Sequence, residues 1–157
     1  MKAKAVDPNT GKEFVVELRN ISEQFFDEMK EFVYSESDLK KIIDSLNISA
    51  DAKLLIHRVA RVTIKVGKFI VNVGRKILDT VMTFFEHYPN ATFGLILGFI
   101  MGTLLGAIPI LGFALGAIAT PLLSALGLLR GFMEDLKDKE LERKLQEKIH
   151  KFESLKS

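Results

Sequence analysis

The chain has no cysteine and no tryptophan. Without thiols it can form no disulfide, no iron–sulfur cluster and no thiolate zinc site. Its three histidines, His57, His87 and His150, are scattered, and no carboxylate cluster at metal-ligand spacing surrounds them. There is no phosphate-binding G-x-x-x-x-G-K-[ST] loop, no G-x-S-x-G elbow and no dinucleotide fingerprint. Catalytic, cofactor-binding and metal-ligating residues are therefore assigned to none, and the chain is read as a non-enzyme. The opening MKAKAVDPNTGKEF lacks an apolar run, so no cleaved secretory signal is expected.

The most informative absence is charge. From His87 to Leu129, 43 residues contain no Asp, Glu, Lys or Arg, in a chain that is 27% charged. The stretch divides at Pro109 into Thr92–Ile108 and Ile110–Leu129. As helices these would be about 26–30 Å long, near the ~30 Å hydrocarbon core of a bilayer. A helix apolar on every side must be covered on every side, and only about three further helices are expected to do it. The reading is a mainly α membrane protein with a two-helix transmembrane hairpin over 91–129.

What flanks the hairpin carries the charge. Residues 1–47 hold 7 positive and 10 negative side chains, residues 48–90 hold 7 and 3, and residues 130–157 hold 8 and 7. The first segment reads as a small acidic α+β cap. KAKAV and EFVVEL flank Asp7-Pro8-Asn9-Thr10-Gly11, a β-hairpin signal. Ser22 can cap a helix over 23–34, and Ser35 a second one with Leu39, Ile42, Ile43 and Leu46 inward. A long basic amphipathic helix is expected over 49–87. Along it Arg58, Arg61, Lys65, Lys68, Arg75 and Lys76 form a ridge facing lipid headgroups or an aqueous pore. Phe84, Phe85, Tyr88 and Phe132 bracket the hairpin as a membrane-interface belt. Basic residues on both flanks put both termini in the cytoplasm, with the hairpin in the inner membrane. A charged helix over 131–156 with an apolar stripe (Leu141, Leu145, Ile149, Phe152) reads as an oligomerisation helix. Arg143 and His150 have the spacing of HEPN-type ribonucleases, which a charged helix produces by chance.

Gly94, Gly98, Gly102 and Gly106 recur every fourth residue, and Gly112 and Gly116 repeat the step. Small residues at this spacing let helix backbones press together in lipid, so these six are the expected oligomer interface. GLILGFIMGTLLG resembles the glycine-zipper hairpins of two-pass membrane proteins. More loosely, residues 87–135 resemble the hydrophobic hairpin of colicin-type and holin-type pore formers. The resemblance implies a homo-oligomeric membrane pore or permeabilising protein. The alternative is a non-conducting membrane anchor or adaptor that recruits a partner through its N-terminal cap. Expected partners are the lipid bilayer, further copies of the chain and a protein for residues 1–47. No nucleic acid is expected, because the apolar remainder of the long helix would stay unsatisfied in water.

Overall fold

A computed structural model of the chain describes residues 1–88, 92–127 and 139–156. The fold is α+β. Strand β1 (Lys2–Val6) and β2 (Glu13–Glu17) form the first hairpin, followed by α1 (Glu23–Lys30), α2 (Glu36–Ser45) and α3 (Ala50–Ala60). A second hairpin, β3 (Ile64–Val66) and β4 (Phe69–Val71), precedes α4 (Val73–His87). Then come α5 (Phe93–Ala107), α6 (Pro109–Ala125), α7 (Lys139–His150) and a terminal 3-10 turn, Glu153–Leu155.

The first turn is built as its residues dictate. Asp7 Oδ1 accepts from the N–H groups of Asn9 and Thr10, and Gly11 supplies a φ of +74°. Ser22, Ser35 and Ser49 each accept a hydrogen bond from the backbone N–H three residues on, capping α1, α2 and α3.

The continuous helix expected over 49–87 is not formed. It divides into α3, the β3–β4 hairpin and α4. Val62-Thr63-Ile64-Lys65-Val66 alternates β-branched side chains with outward ones, which suits a strand. Gly67, with φ +60°, begins a two-residue turn of the kind that reverses strands. Gly74 then lets α4 cross α3 closely: a Cβ there would lie 1.7 Å from the carbonyl oxygen of Val59. The ridge is dispersed as a result. Arg58 and Arg61 end α3, Lys65 stands on the outer face of the sheet, Lys68 sits in the turn, and Arg75 and Lys76 open α4.

The sheet runs β2-β1-β3-β4, antiparallel throughout, with Ala3 opposite both Val16 and Val66 and Lys4 opposite Lys65. Residues 1–47 are thus no separate cap, because β1 pairs with a strand from the middle of the chain. Ala3, Ala5, Ile64, Val66 and Val71 are buried on the inner face, against which α6 packs.

No described helix is long and apolar enough to cross a membrane. With 15 and 17 residues, α5 and α6 are only about 22 and 26 Å long. That finding corrects the transmembrane hairpin, the membrane-protein and pore-forming assignments and the inner-membrane location. The helices α3, α4 and α7 and the strands β1 and β2 all pack on the hairpin. Among the described residues between 92 and 127, the exposed ones are small, polar or proline (Thr92, Gly106, Ala107, Pro109, Thr120, Pro121, Ser124, Ala125 and Gly127), and no large apolar side chain is exposed. Less covering was needed than the apolar content suggested.

Other expectations change with it. Phe84 is buried and stacks with Tyr88 at 6.1 Å, and Phe85 meets Phe93 edge-on at 5.9 Å, so these rings pack inside the helical layer rather than in an interface belt. Phe132 lies outside the described residues. The stripe Leu141, Leu145, Ile149 and Phe152 is buried against the chain itself, so the apolar seam of α7 is occupied intramolecularly. Of the six glycines, Gly98 is buried, Gly94, Gly102, Gly112 and Gly116 are half-buried, and Gly106 is exposed. A Cβ at Gly112 would meet the Leu105 carbonyl oxygen at 2.9 Å, so that glycine serves the α5–α6 hairpin itself.

Candidate functional site

The segment between α1 and α2 has no regular structure, bends at Val33–Tyr34 and is held by side chains of α4. Glu31, with φ −83° and ψ 121°, ends α1 well short of the helix expected to reach residue 34. Lys76 Nζ donates to the Glu31 carbonyl. Asp79 Oδ2 accepts from the Val33 N–H at 3.1 Å and Oδ1 from the Tyr34 N–H at 2.9 Å. Arg75 Nη2 donates to the Tyr34 carbonyl at 3.2 Å. Three side chains within one turn and a half of helix thereby satisfy four main-chain groups that no strand reaches.

This clamp carries buried charge. Lys76 is 5% exposed and Asp79 3%. Burial pushes the Lys76 ammonium below its ordinary value, opposed by the carboxylates of Asp79 and Glu31. Burial first, then the Glu86 and Asp79 carboxylates, pushes the Tyr34 phenol well above the usual tyrosine range. Cations in the first turn of a helix oppose its dipole, so Arg75 and Lys76 stand where α4 gains least from them. Their place is set by the segment they grip.

The clamp fixes Phe32 beneath the Arg75 guanidinium, 3.8 Å from ring centroid to Cζ. Phe32 is one wall of a groove of about 210 Å³ between α1 and β4. Phe26 and Met29 of α1 and Phe69, Ile70 and Val71 of β4 supply the rest of its apolar lining. Phe26 and Phe69 are 4.7 Å apart between centroids, and Lys30 Nζ lies 5.5 Å above the Phe69 ring. The charged groups lining the groove are Lys30 and Arg75; no carboxylate lines it among the described residues. Arg75 Nε is buried without a hydrogen-bond partner among the described residues.

One wall of the groove is a free sheet edge. β4 is the last strand of the sheet, and its closing pair is Val66↔Phe69. In a two-residue hairpin that pair exchanges both hydrogen bonds, and the next pair, Lys65↔Ile70, does not. The N–H and C=O of Ile70 therefore point away from β3, toward the open edge. Three exposed large apolar side chains lie here, Ile70 at 69%, Met1 at 49% and Phe69 at 47%; the others among the described residues, Val6, Val15, Val33 and Leu54, do not line the groove. A second cleft shares Phe26, Lys30 and Phe69 with the groove and adds Met1, Ile21 and Ser22 together with the carboxylates of Glu23 and Asp27, so the cationic character is confined to the groove itself.

Of the residues singled out by sequence, the structure brings only Arg75 and Lys76 to this place, and it turns both toward the 31–34 backbone. Lys30, Phe26, Phe32, Phe69 and Ile70 were missed. Gly67-Lys68 between alternating runs was the signal for a hairpin, and hence for an exposed edge at Phe69 and Ile70. No family model, no curated protein and no solved structure matches this chain.

Proposed function

We propose that the chain is a non-catalytic docking module that captures an extended, acidic segment of a partner protein along β4. The observation that carries this reading is the conjunction of two features: a strand edge left unpaired by any described strand, and an aromatic groove whose charged lining, among the described residues, is Lys30 and Arg75. An added strand would bond to the Ile70 N–H and C=O, place alternate side chains in the groove, and bring a carboxylate toward Lys30 and Arg75. Specificity would come from the apolar pockets, and register from the charge. Sequence reasoning had proposed a partner for residues 1–47, and α1 and its following segment supply half of the groove.

The test is selection of random peptides on the immobilised full chain. Enriched peptides are expected to alternate apolar residues with Asp or Glu, or to end in a free carboxylate beside apolar residues. Phe69→Ala and Lys30→Glu should each weaken their binding about tenfold or more, the cost of one interface anchor. Enrichment without acidic character, or binding indifferent to both substitutions, contradicts the reading.

A further inference from the structure

A further cleft lies between the β1–β2 turn, the C-terminal end of α3 and the flank of α6. Its volume is about 390 Å³. The charged groups lining it are Arg58 and Arg61, and no carboxylate lines it among the described residues. Its floor and wall are apolar, with Ala114 and Ile118 from α6 and Val6 and Val62 beside them. The Thr63 hydroxyl also borders it. Neither arginine takes part in an ion pair among the described residues. Arg58 Nη2 donates to Asn9 Oδ1 at 3.1 Å, which ties that guanidinium to the β1–β2 turn and leaves its other donors without a partner among the described residues. Asp7 opens that turn, and its Oδ1 accepts from the N–H groups of Asn9 and Thr10.

Two cations three residues apart on one helix end repel each other. The α3 dipole offsets part of this, because cations suit a helix C-terminus. A dipole alone does not require two planar donor forks beside an apolar wall. Guanidinium groups match carboxylate and phosphate oxygens bidentately, and the α6 flank would shelter a short hydrocarbon body. We infer that this cleft binds a small amphiphilic anion, a phosphate or carboxylate head on a short apolar body. The inference is independent of the β4 groove.

The experiment is calorimetric titration of the full chain with hexyl phosphate, with inorganic phosphate and hexyltrimethylammonium as controls. Hexyl phosphate should bind saturably at one site, inorganic phosphate more weakly, and the cation not at all. Arg58→Gln with Arg61→Gln should weaken hexyl phosphate about tenfold or more, one lost bidentate contact or its equivalent, with circular dichroism and Tm unchanged. Arg61→Lys keeps the charge at the end of α3 but loses the fork; it should also weaken binding, with an unchanged fold. This exposed single substitution decides the matter if the double variant fails to fold. Equal binding of hexyl phosphate by the parent and Arg61→Lys, or equal binding of the cation, overturns the site. Sedimentation with phosphatidylglycerol vesicles that depends on the two arginines would assign the anion to a lipid surface and overturn the small-ligand assignment.

Discussion

Asp79 is the residue on which the clamp depends. Its carboxylate accepts two main-chain hydrogen bonds and faces the buried Lys76 ammonium. Removing it orphans two N–H groups and takes away the first of the carboxylates that offset the burial of Lys76. Asp79→Ala should therefore cost roughly 3–5 kcal/mol, read as a lowered urea midpoint with little change in slope. The pH dependence divides between two neighbours. Lys76 has a folded value below the ordinary 10.5, so the unfolded chain binds the extra proton and stability rises as pH climbs toward that value. Tyr34 has a folded value above the ordinary 10.0. The native state keeps that proton after the unfolded chain has lost it, so stability falls above that pH. Tyr34→Phe should flatten this alkaline loss and leave the Lys76 limb in place, measured as Tm between pH 8 and 11. At this scale the sequence was weakly legible. Arg75 and Lys76 read in sequence as part of a basic ridge facing lipid headgroups or a pore, and only the fold, which lays residues 31–34 along α4, shows that they and Asp79 face backbone.

Among the elements, the crossing of α3 and α4 is the tightest contact. Gly74 has no room for a methyl group, since the Val59 carbonyl occupies the position. Gly74→Ala should destabilise by at least about 1–3 kcal/mol, the usual cost of forcing packed elements apart, in thermal unfolding. The terminal helix gives a second prediction. Leu145 is wholly buried, and α7 packs on α5. Leu145→Asp should lower Tm steeply or abolish folding, because it buries an unpaired charge. A helix that served only to join copies would change particle mass and leave the unfolding temperature of each copy in place. The turn at Asp7–Gly11 and the serine caps of α1, α2 and α3 were legible, because their chemistry is local. The second hairpin was hidden, because Ile64, Val66, Phe69 and Ile70 also satisfy a helical apolar spacing. What chose the strand was pairing with β1, sixty residues earlier, which no local pattern records.

For the whole molecule, the uncharged middle was legible as something buried but not as what would bury it. Glycine, alanine, threonine and serine on the open side of α5 and α6 leave little apolar area to cover, and the sheet and three helices cover the rest. Everything turns on residues 64–71 being strands that join the N-terminal hairpin, because that junction creates the β4 edge and breaks the long helix. The absence of cysteine makes this directly measurable. Lys4 and Lys65 are opposed in the β1–β3 register and share the outer face; with Gly67 N–H donating to the Lys2 carbonyl they form a hydrogen-bonded pair, whose Cα atoms stand about 5.5 Å apart, within reach of a disulfide or a short crosslinker. Lys4→Cys with Lys65→Cys should be joined within one molecule by a mild oxidant or by a short bifunctional thiol crosslinker, read as a mass shift with no dimer formed. If residues 49–87 were a continuous helix, no such register would exist. Failure of the pair to close, with each single-cysteine variant folded and reactive, would contradict the sheet and the docking edge built on it.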